Sequence, residues 1–539
     1  MVPDTLHRDA RHDYTGRRAT GRALLISLLL AVSATALYAT RLTQAPRYLA
    51  RDEVGFARQA YTFATTGRDL DGHAFPLFFG EPAYHVGRDP LLIYADAVLL
   101  KVFPLSDVIV RLPTALFGVL DVLLMFAVAR RLFRSDALGA TAAMLLALSP
   151  AHFMHSRLAV SLLLPLPFTL LWLLCLTVFL DARSETAGRR ALSGAALSLG
   201  LGVYGYLASV LLMPVYLLCT VWIAAGKDTV RRIAVLAGAF AIAVSPLVIW
   251  ELAHPTRFHE MIVHYHPYAP QFGPLQGVKE MLSYFSLSVR TSNYWTNISP
   301  SLLFLDGDAS LINSTRLAGV FLWPFALLFV AGLYQIATTS RSRFSTALLI
   351  GFATAPLPQV LTVDVGIRRS LVLVVFAVLI AMYGVQALLA RTRRLVVRAA
   401  TVVVLLAVPV SFHSFYRDYV GDYQARAASW FGGNIRGMAE GLLALRPSPT
   451  PIYLSNKTPY LDEYWPYYAA MYGRQELLPD THYYTPDEFN LRAPSSRTLL
   501  VAAVNEAPLP DRMREAHWAL VCTITEPTGQ PVFLIYEKQ

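Results

Sequence analysis

Long apolar runs, separated by short basic segments, dominate the chain from residue 23 to residue 412. Each run has about 17 to 25 residues, the length that a helix needs to cross roughly 30 Å of hydrocarbon. We therefore predict about eleven membrane-spanning helices. They cover residues 23–41, 108–129, 137–153, 158–180, 191–206, 207–225, 233–252, 316–337, 344–362, 370–390 and 396–412.

The basic residues between these runs predict the orientation of the chain. Arginine and lysine concentrate in the cytoplasmic loops of membrane proteins, and here they concentrate in the N-terminal tail and in every second connection. The tail, residues 1–22, is therefore predicted to be cytoplasmic. The first run lacks a convincing small-residue cleavage site, so we interpret it as a signal anchor. An odd number of spans then places the C-terminal segment on the extracytoplasmic side.

Three large pieces fall on the predicted outer side, residues 42–107, 253–315 and 413–539. The first contains an apolar stretch, residues 90–103, that is too short to span and is predicted to form an interfacial helix. The third is polar and rich in turn residues, which is typical of a small soluble α/β domain. In this domain we predict a helix over residues 423–445 and strands over residues 451–455, 498–504, 519–525 and 532–537.

Composition supports the same fold class. Of 539 residues, 55% are hydrophobic and only 15% are charged, which is more apolar surface than one soluble core can bury. The predicted fold is mainly α, a polytopic helical bundle over residues 23–412 with a small extracytoplasmic α/β domain over residues 413–539. The net charge of +10 indicates membrane topology and attraction to anionic lipid, and we expect no nucleic-acid partner because no stacked aromatic and basic platform is present.

Two adjacent carboxylates, Asp52 and Glu53, lie in the first outer loop. Ionised groups without partners cost several kcal/mol at a membrane surface, so the pair is a candidate for catalysis. A carboxylate on the outer face can accept the proton of a hydroxyl that attacks a sugar carbon. Alternatively, the pair caps an interfacial helix that begins near Val54, because acidic residues are favoured in the first turn of a helix.

Four arginines of the outer loops are candidates for binding a phosphate. Arg58 and Arg88 share the loop of the acidic pair, whereas Arg368 and Arg369 lie at the outer end of the tenth predicted span. The planar guanidinium group suits phosphate oxygens, although arginines near span ends also extend towards lipid head groups. Tyr84, in the first loop, is a further candidate for lining the substrate.

The histidines on the predicted outer side are weaker candidates for the functional site. His152 and His155, in the turn between the third and fourth spans, are candidates for lining the substrate, with burial at a helix end as the alternative. The second outer loop contains four more histidines but no further ligand at a spacing typical of metal sites. We predict no metal site, and a requirement for a divalent cation stays open.

The order of several short motifs resembles a known family. Arg51, Asp52 and Glu53 follow the first span, residues 87–91 (Gly-Arg-Asp-Pro-Leu) precede the interfacial helix, and residues 111–118 (Arg-Leu-Pro-Thr-Ala-Leu-Phe-Gly) open the second span. Over residues 20–420 the chain resembles the GT-C membrane glycosyltransferases, specifically the bacterial branch related to protein O-mannosyltransferases and lipid A aminoarabinose transferase.

This resemblance implies a sugar donor carried on a polyprenyl phosphate, with transfer on the outer face of the membrane and inversion at the anomeric carbon. The acidic pair of the family corresponds to Asp52, as general base or as a group that orients the acceptor, and to Glu53. Its phosphate-binding residues correspond to Arg88 and to Arg369 or Arg368. Residues 299–314, with Asp308 as a substrate-lining candidate, are similar to a further loop of this branch.

The chain also departs from the family pattern. Ile312 and Asn313 stand where the family loop usually has Arg and His, and Asp89 replaces the first of two prolines after the basic residue. The turn between the third and fourth spans lacks the acidic residue that some GT-C enzymes use to bind metal. These departures leave metal dependence and the usual substrate open.

We therefore expect an enzyme of the inner membrane that transfers a hexosyl or pentosyl group from a polyprenyl-phosphate donor to a hydroxyl of a lipid, glycan or protein acceptor. One alternative is a transporter or flippase of a lipid-linked sugar, which would use the same arginines without a base. Another is a catalytically inactive scaffold. Transporters often contain repeats with broken central helices, and we find no such repeats in this sequence.

Overall fold

The computed structural model of the protein describes residues 5–80, 89–226, 228–265, 267–269, 271–390, 394–445, 451–506 and 510–539. Helices make up the chain as far as residue 420. They are α1 (Thr5–Ala39), α2 (Arg51–Thr66), α3 (Pro90–Leu100), α4 (Asp107–Phe133), α5 (Asp136–Ala147), α6 (Pro150–His155), α7 (Pro165–Leu180), α8 (Glu185–Gly202), α9 (Ser209–Ala224), α10 (Thr229–Ala253), α11 (Arg257–Tyr265), α12 (Pro274–Met281), α13 (Tyr284–Asn297), α14 (Trp323–Thr338), α15 (Arg343–Thr354), α16 (Leu357–Leu361), α17 (Leu373–Ala390) and α18 (Leu395–Val420).

Each of the eleven predicted runs overlaps at least one of these helices. Among the described residues, six helical segments are long and apolar enough to cross a membrane by length and composition. They are Gly21–Ala39, Asp107–Phe133, Ser161–Leu180, Thr229–Ala253, Arg343–Leu361 and Leu395–Val420. The helix predicted within residues 90–103 is confirmed as a short helix, α3, whereas its interfacial position stays a prediction. The number of spans stays a prediction.

Serine caps and prolines explain where many of these helices begin. The hydroxyls of Ser106, Ser135 and Ser184 each accept a hydrogen bond from the backbone N–H three residues later. Proline occupies the first turn of α3, α6, α7 and α14, where its missing N–H would have no helical partner. The predicted start at residue 316 is therefore wrong, because the helix begins at Trp323 with Pro324 in its first turn.

Helix α17 is the centre of the bundle, and α14 packs against it at two glycines. Nearly all side chains from Leu373 to Val385 are buried. A Cβ atom on Gly332 would overlap the carbonyl oxygen of Ile380, and one on Gly384 would lie 2.6 Å from the backbone nitrogen of Gly332. The close approach of the two backbones thus depends on glycine at both positions.

The variant Gly332→Ala is expected to destabilise the bundle by about 1 to 3 kcal/mol, because the added methyl group meets backbone that cannot rotate away. Thermal denaturation of the purified protein in detergent would measure the change. Gly238→Ala is the matched control, since Gly238 lies in α10 with no atom within 4 Å of an added Cβ. Equal denaturation temperatures for the two variants would contradict the packing argument.

After α18 the chain forms a small α/β domain, as predicted. Its helices are α19 (Asp422–Ala427), α20 (Ile435–Leu445), α21 (Leu461–Met471) and α22 (Pro510–Glu515), and its strands are β1 (Ile452–Ser455), β2 (Thr481–Tyr484), β3 (Leu499–Ala503), β4 (Trp518–Thr525) and β5 (Pro531–Lys538). The strand order is β2-β1-β3-β5-β4, with β1 parallel to β2 and β3 and with β5 antiparallel to β3 and β4.

The single helix predicted over residues 423–445 is wrong. It is divided into α19, a 3-10 turn (Ala428–Phe431) and α20. Gly432 and Gly433 separate the last two, with φ angles of 79° and 71°. These angles belong to the left-handed region, which ends a right-handed helix.

The α/β domain docks onto the segment that carries the acidic pair. The phenol of Tyr464 donates to the carbonyl oxygen of Leu49 at 2.9 Å, and that of Tyr467 donates to Asp107 Oδ1 at 2.9 Å. The phenol of Tyr48, just before α2, donates to Glu526 Oε2 at 2.7 Å. The start of α2 is therefore held between the membrane bundle and the domain.

Candidate active site

Helix α2 begins at Arg51, so that Asp52 and Glu53 both lie in its first turn. Glu53 Oε2 accepts a hydrogen bond from the backbone N–H of Ala50 at 2.8 Å, which caps the helix. Successive side chains of a helix point in different directions, about 100° apart. The two carboxylates therefore meet different surroundings.

Glu53 is fully buried and pairs with Arg111 of α4. Arg111 Nε lies 2.7 Å from Glu53 Oε1, and Arg111 Nη2 lies 2.9 Å from Glu53 Oε2. The backbone N–H of Ala159 also donates to Oε1 at 2.9 Å. The remaining donors of Arg111 bind the carbonyl oxygens of Leu42, Pro46 and Tyr48. This buried pair joins the first outer loop, α2, α4 and residue 159.

Asp52 is exposed, and it lines a cavity of about 310 Å³. The cavity wall combines three arginines, two carboxylates and several hydrogen-bonding side chains. It is formed by Ala50, Arg51, Asp52, Phe56, Asp89, Leu158, Val160, Ser161, Leu162, Tyr206, His264, Tyr265, Ser310, Ile312, Asn313, Arg368 and Arg369. The structure thus brings Asp52, Arg368 and Arg369 to one cavity, although more than 300 positions separate Asp52 from the two arginines in the sequence.

The two arginines are held by a single carboxylate. Arg368 Nε lies 3.0 Å from Asp364 Oδ2, and Arg369 Nη1 lies 2.7 Å from the same oxygen. Arg369 Nη1 also donates to Thr362 Oγ1 at 2.9 Å. Burial lowers the pKa of Arg368, but its hydrogen bond to Asp364 and the negative charges around it together more than offset this effect, so the pKa lies above its ordinary value. The Arg368 guanidinium is therefore cationic at neutral pH.

Asp308 is buried behind this arginine loop. Its Oδ2 accepts the backbone N–H of Ile367 at 2.8 Å, and its Oδ1 accepts that of Ser310 at 2.8 Å. Asp308 is not part of the cavity wall. Its contacts connect the loop of residues 306–314 to the loop that carries Arg368, so it positions the cavity wall from behind.

Three other candidate residues are not brought to this wall. Arg58 Nη1 lies 3.4 Å from the carbonyl oxygen of Asp462, in the α/β domain. His152 is fully buried, with Nδ1 3.1 Å from the phenol of Tyr38 and Nε2 3.3 Å from Asp121 Oδ2. His155 is also fully buried and contacts the carbonyl oxygen of Ala151 at 2.7 Å. Arg88 and Tyr84 lie outside the described residues.

Several wall residues were not singled out from the sequence. Tyr206 and Ser161 lie in connections between helices, Tyr265 is the last residue of α11, and no motif marks any of the three. The Ser161 hydroxyl donates to Asp89 Oδ2 at 2.7 Å. Ile312 and Asn313, the positions that depart from the family loop, do face the cavity. That departure could have identified them.

One group of side chains in the described part of the chain has metal-binding spacing. Ligand atoms of Asp69, Asp71 and His73 lie within 4.8 Å of one another. Asp69 Oδ1 accepts the backbone N–H groups of Asp71 and His73 at 3.0 and 2.7 Å, which accounts for its burial as part of a turn. None of the three lines the cavity.

Part of the chain matches a known protein family. Residues 87–250 match the family described as dolichyl-phosphate-mannose-protein mannosyltransferase. A search of curated protein sequences gave no match. The family match includes Asp89 and Ser161 of the cavity wall, but it lies beyond Asp52 and covers less than half of the chain.

Two solved structures of ArnT share the fold over nearly the whole chain. The crystal structure of ArnT from Cupriavidus metallidurans bound to undecaprenyl phosphate has a TM-score of 0.56 and 14% sequence identity, covering 94% of this chain and 97% of that chain. Its apo state has a TM-score of 0.52 and 14% identity, covering 96% and 98%. The S. cerevisiae Pmt1-Pmt2 O-mannosyltransferase complex, bound to the sugar donor, aligns over 44% of this chain and 34% of that chain, with 15% identity and a TM-score of 0.34.

The apolar helices indicate an integral membrane protein, and its fold is the GT-C fold. More particularly, the bundle with its small sheet domain has the architecture of ArnT. The predicted fold class and the predicted resemblance are confirmed at this level.

Proposed function

We propose that the protein is a glycosyltransferase that moves a sugar from a polyprenyl-phosphate donor to a hydroxyl acceptor, with inversion. The observation that carries this proposal is the cavity in which an exposed carboxylate, Asp52, faces a site with two arginines, Arg368 and Arg369. A base and an anion site within one cavity are what displacement of a phosphate from an anomeric carbon requires. The undecaprenyl phosphate bound to ArnT supports a donor of this class.

In the proposed reaction, Asp52 accepts the proton of the acceptor hydroxyl as its oxygen attacks the anomeric carbon. The bond between that carbon and the phosphate oxygen breaks, and its electron pair stays with the phosphate. Arg368 and Arg369 stabilise the negative charge that develops there. Products are the glycosylated acceptor and the polyprenyl phosphate, and the proton is on Asp52.

Other residues take supporting roles in this proposal. Glu53, with both oxygens bound by Arg111 and by backbone N–H groups, positions the first turn of α2 and thereby Asp52. Arg88 precedes Asp89 of the cavity wall in the sequence, so we include it among the phosphate-binding residues. Arg58, His152 and His155 stay candidates to which we assign no role, and Tyr84, outside the described residues, stays a prediction.

The proposed location is the inner membrane, with the N-terminus cytoplasmic and the cavity on the outer face. The basic connections support this orientation. The α/β domain, docked beside α2, would then be extracytoplasmic. The acceptor hydroxyl belongs to a lipid, a glycan or a protein, and the transferred group is a hexose or a pentose.

The proposed function is tested by measuring transfer of a sugar from the donor to an acceptor. Purified protein in lipid nanodiscs would be incubated with the lipid fraction of its host that contains polyprenyl-phosphate-linked sugars, and with an envelope extract that contains the acceptors. The products would be analysed by mass spectrometry. A mass increase of one sugar on an acceptor, with release of polyprenyl phosphate, is the expected result. Movement of an intact lipid-linked sugar between leaflets without transfer would instead support a transporter.

The variant Arg369→Ala is expected to weaken binding of polyprenyl phosphate about 10- to 100-fold, since a hydrogen bond to a charged group contributes about 1.5 to 3 kcal/mol. Thermal stabilisation of the purified protein by added polyprenyl phosphate would measure the affinity. Arg426→Ala is the matched control, because Arg426 pairs with Asp418 in the same manner and lies outside the cavity. Equal affinities would remove Arg369 from the proposed phosphate site.

A further inference from the structure

A second, larger cavity of about 710 Å³ lies between the α/β domain and the segment that links it to α18. Its volume falls in the range of sites that bind extended small ligands. Two aromatic rings with substantial exposure face it, those of Trp430 and Tyr460, at 43% and 40% of their full accessible surface. Large aromatic side chains left exposed in a concave site are typical of ligand contact surfaces.

The wall also carries polar groups. Glu506, Glu526, Asn505 and Gln530 bring carboxylate and amide groups to the same cavity as the two rings. Carboxylates accept hydrogen bonds, whereas amides both donate and accept them. Such a combination matches a ligand with many hydroxyl groups on an otherwise apolar ring face, which describes a carbohydrate. It does not match the acyl chains of a lipid.

Contacts with neighbouring residues hold parts of this wall in place. Glu526 accepts the phenol of Tyr48 at 2.7 Å and the backbone N–H of Asn434 at 2.9 Å. Glu506 Oε2 accepts the hydroxyl of Ser455 at 2.7 Å. A wall fixed in this way loses little conformational entropy when a ligand binds.

Arg51 connects the two cavities. Its side chain lies against the Tyr460 ring, 4.1 Å from the ring centroid, and its Nε lies 3.0 Å from Glu463 Oε1. Arg51 contributes to the walls of both cavities, and the next residue is Asp52. A chain bound in the larger cavity could therefore present a terminal hydroxyl beside Asp52.

We propose that the larger cavity is the acceptor site and that the acceptor is a carbohydrate chain, stacked on Trp430 and Tyr460 and hydrogen-bonded by Glu506. This inference rests on the proposed function and narrows its acceptor class. The donor lies in the smaller cavity, and Arg51 marks the boundary between the two substrates.

The experiment measures binding of neutral trisaccharides, mannotriose and maltotriose, to the full-length protein in nanodiscs by saturation-transfer NMR. Saturable binding of at least one of them is expected. Trp430→Ala and, separately, Glu506→Gln should each weaken it at least tenfold. Trp295→Ala is the matched control, since Trp295 is 63% exposed and lies outside both cavities, and it should leave binding unchanged.

Absence of saturable binding for both trisaccharides would overturn the inference, as would equal binding by wild type and both cavity variants. Saturable binding of a Ser/Thr-rich peptide, without binding of either trisaccharide, would overturn the inference in favour of a protein acceptor.

Failure of the two proposals can be distinguished. Trisaccharide binding without any sugar transfer contradicts the enzymatic function, whereas transfer to a lipid or protein without trisaccharide binding contradicts only the acceptor class.

Discussion

The variant Asp52→Asn is expected to lower the rate of sugar transfer by about 10²- to 10⁴-fold, the range that a positioned general base contributes. Asparagine preserves the size of the side chain but cannot take up the proton of the acceptor hydroxyl. Binding of polyprenyl phosphate should change little, because Arg368 and Arg369 are intact. Single-turnover transfer, followed by mass spectrometry, separates the chemical step from binding.

Asp422→Asn provides the control for this experiment. Asp422 is also an exposed aspartate in the first turn of a helix, α19, and it lies outside both cavities. Its exchange should leave the transfer rate within twofold of wild type. Transfer by Asp52→Asn at the wild-type rate would exclude Asp52 as the base. Another group would then have to accept the proton of the acceptor hydroxyl.

A second large effect is expected at Glu53. The variant Glu53→Gln removes the partner of a buried guanidinium, and breaking a buried ion pair in this way costs about 3 to 5 kcal/mol. Arg111 keeps three carbonyl contacts, but its charge is left without a counterion. Thermal denaturation in detergent should show a large decrease in stability.

Asp181→Asn is the matched variant for a partly exposed ion pair. Asp181 Oδ2 lies 3.1 Å from Arg131 Nη2, and both side chains are substantially exposed, so the loss should stay below about 1 kcal/mol. If Glu53→Gln and Asp181→Asn had the same denaturation temperature, the buried pair of Glu53 and Arg111 would not contribute to the stability of the fold. If Glu53→Gln kept full stability yet lost transfer, Glu53 would belong to the reaction itself.

Sequence reasoning predicted the helices of the bundle well, because the length of an apolar run directly reflects the thickness of the bilayer. It was less successful in the α/β domain. Strand β2, Thr481–Tyr484, has no alternation of apolar and polar residues. Helix α21 contains Pro466, a residue that argues against a helix. Tertiary contacts, such as the Tyr464 and Tyr467 hydrogen bonds to the bundle, outweigh those local signals.

The site was predicted only in part. The acidic pair and the late arginines could be identified as charges that need partners near a membrane. Which partner each would meet was not predictable, because Glu53 and Arg111 are separated by 58 positions and meet only in the folded bundle. The sequence therefore left helix capping and catalysis as alternatives for both carboxylates. The structure shows Glu53 capping α2 and Asp52 facing the cavity.

The single carboxylate that Arg368 and Arg369 share, Asp364, has a consequence for turnover. Two cations against one anion leave this loop with one net positive charge, which suits the singly charged phosphodiester of a lipid-linked sugar. Once the sugar departs, the phosphate is a monoester that carries roughly −1.5 to −2 charges at neutral pH. Under the proposed function, the spent carrier would therefore be held more tightly than the loaded one. Its escape into the bilayer would then limit the rate of turnover, and accumulated carrier would act as an inhibitor.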